Sequence, residues 1–360
     1  MPPISLKTQL KLRFSTVLWF ILFCLFLLGV PSVKAWTPWL MAAVIGASFV
    51  LAGIVYGLFC LIRKSQWSLG QYIWTTTLLV FILTSVVGLP VYYFNYVATA
   101  TPITVPQVTM TNGQKTVVFQ GMMHIGSESF YKSVVYDLEN ALSSGYKLYY
   151  EGIRPGTPAS DKWFKDILAG GKDLSGNYRS LATLCGLKFQ LDYFPLVMSD
   201  QIKHPERHLV ADISTETMQN EYNRLIKSDT DFSKAMEQSL KRSQAPDDLG
   251  SIEEFVKWQQ AGDKNQKLVS GIVCRGFMTR ALQNANDKDQ PLNRVILDFR
   301  NRNLADFIHK DKSPKIYVTY GSAHIKGVLA ELQSHDPKWN IKSVKWSRVI
   351  AAPEELTGEL

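Results

Sequence analysis

The chain has 360 residues, a formal net charge of +8 and a pI near 9.1. The charge does not indicate a nucleic-acid-binding protein, because binding of that kind needs a basic stripe on the folded domain. Six of the excess positive charges lie in the first hundred residues, which contain no Asp or Glu, whereas the other 260 carry 33 basic and 31 acidic side chains. We therefore expect no nucleic-acid partner, and the first hundred residues indicate a membrane protein.

Three apolar runs, at about residues 14–30, 36–62 and 72–95, predict three transmembrane helices within a membrane domain of residues 1–100. A helix needs about 20 apolar residues to cross the hydrocarbon core. The second and third runs meet that length, and the first is borderline. A cleaved signal peptide is the alternative interpretation of the first run.

The basic residues near the ends of these runs predict the orientation of the chain in the membrane. Lys7, Lys11 and Arg13 precede the first run, and Arg63 and Lys64 separate the second from the third. Because such residues remain on the cytoplasmic side, three crossings place the chain outside after about residue 96. We expect a multi-pass protein of the cell (inner) membrane with an extracytoplasmic C-terminal domain.

Residues 101–360 predict an α/β domain, because short β-branched or aromatic runs alternate with helical patterns. The segment "TPITVP" (101–106) is interpreted as an extended linker, and residues 215–309 as a helical insertion. Cys185 and Cys274 could form a disulfide outside the cytoplasm, but the sequence leaves their pairing open. The predicted strands are residues 115–120, 146–152, 208–214, 314–321 and 339–346.

A strand followed by Gly-x-x-His occurs twice, as "GMMH" (121–124) and "GSAH" (321–324). The repetition predicts a mostly parallel sheet built from two related halves. Ligands of such sheets bind beyond the carboxyl ends of the strands. A glycine after a strand lets the backbone or a ligand approach closely, so Gly121 and Gly321 are candidate substrate-binding positions.

Four polar side chains fall at these strand ends: His124, Glu151, Asp212 and His324. Two histidines with one or two carboxylates can hold a divalent ion that activates water. Without a metal, His124 or Glu151 could itself act as a general base. Each also has a simpler interpretation, since the histidines could be ordinary polar residues and the carboxylates helix caps.

The segment "LDFRNRNLADFI" (297–308) has a helical apolar face with Arg300 and Asn301 beside it. These two residues could belong to a solvated helix face. Alternatively, Arg300 could clamp a carboxylate or stabilise an oxyanion.

Six segments together resemble the TraB/Tiki/GumN group, which belongs with the erythromycin esterase and ChaN-like proteins: "GMMHIGSESFY", "YYEGIRP", "LATLCGLKFQ", "HLVADIS", "DFRNRNLADF" and "YGSAHIKGVL". The resemblance covers nearly all of the outer domain and none of the membrane part. It implies hydrolysis, with metal-dependent peptidase action in the Tiki branch. It places His124, Glu151 and His324 at site positions, Arg300 and Asn301 on an Arg-bearing helix, and Gln190 and Asp212 at weaker positions.

These observations predict a membrane-anchored hydrolase of peptide or protein substrates. We expect manganese, cobalt or zinc at His124, Glu151 and His324, with Asp212 as a further candidate ligand. The sequence leaves two alternatives open: a capture protein that binds a peptide, haem or metal without turnover, and a regulatory partner of another membrane protein. A homo-oligomer is also left open.

Overall fold

The computed structural model describes residues 5–37, 39–63, 68–168, 174–243, 249–284 and 290–353. The chain divides into two compact units. The first takes in the described residues of Met1–Ala100, Lys257–Met278 and Ala352–Leu360. The second takes in those of Thr101–Val256 and Thr279–Ala351.

The first unit contains three long apolar helices: α1 (Leu6–Trp36), α2 (Leu40–Arg63) and α3 (Leu69–Ala100). All three are long and apolar enough to cross a membrane, which confirms the prediction of three such helices. Helices α1 and α3 meet at Gly29 and Gly88. A Cβ placed on Gly88 would lie 2.5 Å from the carbonyl oxygen of Gly29. Small residues of this kind allow helix backbones to approach closely in a membrane.

The segment Lys257–Met278 also belongs to the first unit. Its residues Val269 and Ile272 are buried against Val91 of α3, with Trp36 packed beside them. The sequence alone indicates only that this segment is part of the helical insertion. Its buried apolar side chains explain why it packs with the apolar helices.

The second unit is built on a six-stranded sheet with the order β6-β4-β7-β2-β1-β8. Strand β7 pairs in parallel with β2 and β4, and β4 pairs in parallel with β6. Strand β1 is antiparallel to both of its neighbours, so of these six strands it alone runs in the opposite direction. This confirms a mostly parallel α/β sheet, whereas the two related halves stay a prediction.

The six strands of this sheet are β1 (Ile103–Thr111), β2 (Thr116–Met122), β4 (Lys147–Tyr150), β6 (His208–Val210), β7 (Lys315–Gly321) and β8 (Asn340–Ile350). Two short strands, β3 (Ile125–Gly126) and β5 (Lys188–Phe189), form a separate pair.

The interpretation of "TPITVP" as a linker is wrong, because β1 begins within it at Ile103. The two prolines of this segment argued against a strand, because proline is uncommon inside strands. Pro106 is in register with Trp346 of β8. It precedes the ladder with β2, which begins only at Gln107, so no bond to β2 is required of it. A proline without a backbone N–H fits a strand where no ladder bond is required of it.

Helices cover both faces of the sheet. Leu304, Ile308 and Val328 of two helices near the C-terminus pack on one face beside Phe119. On the opposite face the side chain of Gln107 reaches Asp137 of α4, since neighbouring residues of a strand point to opposite sides. The helices that follow α3 are α4 (Glu128–Ser143), α5 (Pro158–Trp163), α6 (Leu174–Leu184), α7 (Met198–Lys203), α8 (Thr215–Ser228), α9 (Thr230–Ser243), α10 (Leu249–Ala261), α11 (Lys264–Asn284), α12 (Arg300–Lys310) and α13 (His324–His335). The end of α10 and most of α11 belong to the first unit.

Cys185 and Cys274 are both disulfide-bonded, whereas Cys24 and Cys60 are free. Cys185 is fully buried. Disulfides of this kind persist in oxidising compartments, which is consistent with the predicted extracytoplasmic location.

Candidate active site

The carboxyl ends of four neighbouring parallel strands bring the predicted site residues to one edge of the sheet. Glu151 directly follows β4, and His324 comes three residues after β7. His124 comes two residues after β2, which pairs with β7 on the other side. Asp212 follows β6, the next strand beyond β4. The order of the strands therefore places all four residues at the same edge.

Arg300, the first residue of α12, lies at the centre of this edge and is 4% exposed. Its Nε donates to Oδ1 of Asp212 at 3.0 Å, and its Nη2 donates to Oδ2 at 2.6 Å. The same Nη2 donates to Oε1 of Glu151 at 2.8 Å. Burial favours the neutral form of Asp212, but the hydrogen bonds and charge of Arg300 prevail and lower the pKa of this carboxyl. The result is a buried cation shared between two carboxylates.

The second oxygen of Glu151 is also held. The backbone N–H of Gly321 donates to Oε2 at 2.6 Å, and the backbone N–H of Glu151 donates to the carbonyl of Thr319 at 2.9 Å. A Cβ on Gly321 would lie 3.4 Å from Oε2. Gly321 thus lets the backbone approach a carboxylate of the chain itself. At 22% exposure, the Glu151 side chain is fixed and still accessible.

His324 is buried behind this carboxylate and is 3% exposed. Its Nδ1 donates to Oδ1 of Asn301 at 2.8 Å, so its Nε2 carries the lone pair that faces Nη1 of Arg300 at 3.4 Å. Burial, together with the charge of Arg300, lowers the pKa of His324 to about 4. The neutral imidazole therefore supports the Arg300 side chain, and His324 is not among the residues that line the pocket beside His124.

His124 has different surroundings. It lies in a bend before β3, while the helix α4 begins only at Glu128, so this histidine does not start a helix as His324 does. Gln190 holds it twice: the backbone N–H donates to the His124 carbonyl at 2.9 Å, and the side-chain amide donates to Nδ1 at 3.0 Å. The proton of the neutral ring is then on Nε2. Among the described residues nothing bonds to that nitrogen.

The His124 ring is exposed to a pocket, yet the surrounding protein limits its hydration. This desolvation, with the charge of Arg300, lowers the pKa of His124, although Glu151 opposes the shift. The imidazole is consequently neutral at neutral pH. The ring of Tyr178 lies 4.5 Å from it, measured between ring centroids.

The pocket has a volume of about 520 Å³. Its wall is mainly apolar, and its polar groups gather where the sheet ends. Two helical segments of the predicted insertion contribute Met218 and Ile296 to it. Neither Gly121 nor Gly321 lines it, and Gly121 is packed against the Pro106 carbonyl. The lining residues are His124, Glu151, Gly152, Ile153, Phe164, Leu168, Ser175, Tyr178, Phe189, Gln190, Leu191, Met218, Ile296 and Arg300.

The donor set does not fit a metal ion in this arrangement. Glu151, Asp212 and His324 all turn toward the guanidinium of Arg300, which takes the place that a bound cation would need. Within the described ranges no group of three or more His, Cys, Asp or Glu side chains is placed to hold a metal. The divalent ion stays a prediction, and the reaction proposed for this site does not depend on it.

Two features of this region were missed from the sequence. Tyr178 lies outside the quoted segments, and Phe189 lies within "LATLCGLKFQ" but was not marked as a site residue. His208, which the sequence did not mark as a residue of this region, starts β6 with a fully buried side chain. Its Nε2 contacts Asp200 at 2.8 Å, and its Nδ1 contacts the Tyr150 hydroxyl.

Comparisons of the chain with family models, with curated proteins and with solved structures gave no match. The resemblance to the TraB/Tiki/GumN group therefore stays a prediction from the quoted motifs.

Proposed function

We propose that the second unit is a hydrolase that cleaves an ester or amide bond, including peptide bonds. The observation that carries the proposal is a fixed carboxylate and a neutral imidazole on the wall of one apolar pocket. Glu151 is held on both oxygens, and His124 presents Nε2–H to the pocket. A general base and a hydrogen-bond donor for a developing oxyanion are the two groups that hydrolysis requires.

In the proposed reaction, Glu151 accepts a proton from a water molecule as the water oxygen attacks the substrate carbonyl carbon. The Nε2–H of His124 donates to the carbonyl oxygen, on which negative charge develops. When the tetrahedral intermediate collapses, the C–O or C–N bond breaks and Glu151 returns its proton to the leaving group. One water is consumed, and the products are a carboxylic acid and an alcohol or amine.

Arg300 acts in the proposed reaction as a positioning residue. Its nitrogens already donate to Asp212, Glu151 and neighbouring acceptors, so it has little capacity left to clamp a substrate carboxylate. The cation is shared by two carboxylates, which leaves an excess of one negative charge beside the pocket. We therefore expect substrates with an apolar group next to the scissile bond, and with no charge or a positive charge on that part of the molecule.

The apolar wall also supports a second candidate function, in which the pocket captures an apolar ligand or peptide without turnover. Pockets of a few hundred cubic ångströms lined mainly by apolar side chains are typical of ligand-binding sites in general. The two candidates differ in their dependence on Glu151. Hydrolysis requires its carboxylate, whereas apolar capture tolerates its replacement by glutamine.

The test uses the full chain purified in detergent, a fluorogenic peptide library and p-nitrophenyl esters of increasing acyl length. Cleavage that is lost in Glu151→Gln supports the hydrolase. If the wild type and Glu151→Gln bind a peptide or ester of the panel equally and neither cleaves it, capture is supported and the hydrolase is rejected. Parallel reactions with a chelator and with added manganese, cobalt or zinc test the metal prediction directly.

We also propose that the catalytic unit lies outside the cytoplasm of a cell with this protein in its inner membrane. The charge asymmetry of the membrane segments supports this orientation. A periplasm-active reporter fused after Tyr96 is expected to be active, and the same reporter fused after Lys64 is expected to be silent. The reverse pattern would place the pocket in the cytoplasm.

A further inference from the structure

Most of the hydrogen-bond donors around the pocket are already engaged within the protein. The Gln190 amide donates to His124, and the backbone N–H of Gly152 donates to Oδ2 of Asp212 at 3.1 Å. The Nη2 group of Arg300 donates to the carboxylates of Asp212 and Glu151. A carbonyl oxygen that enters the pocket therefore meets few unused donors besides Nε2–H of His124.

The hydroxyl of Tyr178 is one such donor. Within the part of the chain that the structure describes, it makes no hydrogen bond, although its residue lines the pocket. Tyr178 belongs to α6, and its ring is fixed from two sides. It contacts the His124 ring at 4.5 Å and stacks on Phe189 with 6.4 Å between ring centroids. The phenol and the imidazole thus stand side by side on one wall.

The hydroxyl also keeps its proton. Burial, and in addition the charge of Glu151, raises the pKa of Tyr178 above its usual value near 10. The phenol is therefore a donor throughout the neutral pH range. A protonated phenol whose ring contacts a neutral imidazole can supply the second of the paired donors that stabilise an oxyanion.

We propose that Tyr178 is a catalytic residue whose hydroxyl donates a hydrogen bond to the substrate carbonyl oxygen, together with Nε2–H of His124. This inference rests on the proposed hydrolase function and assigns its second oxyanion donor. It involves no additional proton transfer, because the proton stays on the phenol throughout the reaction.

The first experiment compares Tyr178→Phe with the wild type on the best ester or peptide found in the substrate panel. The phenylalanine ring keeps both ring contacts and removes only the hydroxyl. We expect kcat to fall by about 10²- to 10³-fold, the loss found when one oxyanion donor is removed. KM is expected to change little, because this interaction strengthens in the transition state.

The matched control is Tyr136→Phe, which removes the same group from a residue of α4 that is 65% exposed and does not line the pocket. Its kcat is expected to equal that of the wild type. If the wild type cleaves its substrate and Tyr178→Phe keeps full kcat, the role of Tyr178 is rejected and the hydrolase stands. If the wild type cleaves no ester or peptide in the panel, both proposals are rejected.

A second measurement remains informative if Tyr178→Phe folds poorly. Incorporation of 3,5-difluorotyrosine at position 178 keeps the hydroxyl and lowers its pKa. Because an ionised phenol cannot donate, the alkaline decline in kcat is expected to move to lower pH. An alkaline limb that is identical to that of the wild type would overturn the assignment.

Discussion

The two Gly-x-x-His segments have the same spacing and follow neighbouring parallel strands, yet their histidines have opposite environments. His124 is exposed to the pocket and is held by one amide. His324 is 3% exposed and lies between Asn301 and Arg300. The motif places both at one edge of the sheet, but the neighbouring elements decide whether the imidazole meets a ligand or supports another side chain.

The difference arises from the element that comes next in the chain after each motif. His324 is itself the first residue of α13, which packs beside α12, and α12 supplies Asn301 and Arg300. After His124, the two-residue strand β3 pairs with β5 and delays the helix. This pairing brings Gln190 to the His124 ring and leaves the ring at the pocket wall. Repeated spacing therefore does not imply equal function, and substitutions around each histidine can measure how far the two environments differ.

The largest expected effect is that of Arg300→Met, which removes the cation shared by both carboxylates. Asp212, with a fully buried side chain, would lose its charged partner, and Glu151 would lose one of its two donors. Removing one partner of a buried ion pair typically costs about 3–5 kcal/mol. We expect the free energy of unfolding in urea to fall by about that amount.

Lys310→Met provides the matched control, since it removes a cation from the same helix. Its partner is Asp306, and both side chains are well exposed. Exposed pairs at this helical spacing contribute about 0.3–0.5 kcal/mol. Equal losses in the two variants would contradict a special role for the buried cation.

The pocket histidine is expected to affect turnover and not stability. His124→Ala removes the Nε2–H donor, so we expect kcat to fall by about 10²- to 10³-fold, as for other oxyanion donors. Because the side chain is exposed, the free energy of unfolding should stay within about 0.5 kcal/mol of the wild type. Paired kinetics and urea unfolding measure both quantities. A loss of stability without a loss of turnover would mean that His124 has a structural role like that of His324.

The buried histidine is expected to make stability depend on pH. Its folded-state pKa of about 4 lies below the ordinary value of 6.5. As the pH falls below 6.5 the unfolded chain binds a proton that the folded chain rejects, so stability declines down to about pH 4. At 1.36 kcal/mol per pKa unit, the whole decline amounts to about 3 kcal/mol.

His324→Asn tests this decline, because its amide can still donate to Asn301 and does not titrate. We expect the variant to lose less stability than the wild type between pH 6.5 and 4, as measured by urea unfolding at several pH values. The carboxyl of Asp212, with its lowered pKa, contributes only below this range. Parallel pH profiles in the two proteins would show that His324 is not buried as a neutral ring.

Periodicity and composition predicted the apolar helices, most strands and the sheet edge where the polar residues gather, because these depend on local patterns. The strand β1 was missed because its assignment depends on pairing with β2 and β8, which the segment's own residues do not reveal. The bond between Arg300 and Asp212 spans 88 residues and has no local signal. Tyr178 is similar: its position at the site depends on the packing of α6 against the His124 loop.

The smallest expected effect is that of Gln190, whose amide donates to Nδ1 of His124. At His324 the direction is reversed, because Nδ1 donates to Oδ1 of Asn301. Gln190→Leu preserves most of the side-chain volume and removes the amide that holds Nδ1 of His124. A neutral hydrogen bond contributes about 0.5–1.5 kcal/mol, which corresponds to a loss of about 2- to 12-fold in kcat. Nitrogen NMR of labelled histidine is expected to show the Nε2–H tautomer in the wild type and a mixture of tautomers in the variant.

Gln283→Leu, which removes an amide bonded to the Thr101 carbonyl, is the control and should leave kcat unchanged. If Gln190→Leu were as damaging as His124→Ala, or if the wild-type ring carried its proton on Nδ1, Gln190 would not be the residue that orients His124 as a donor.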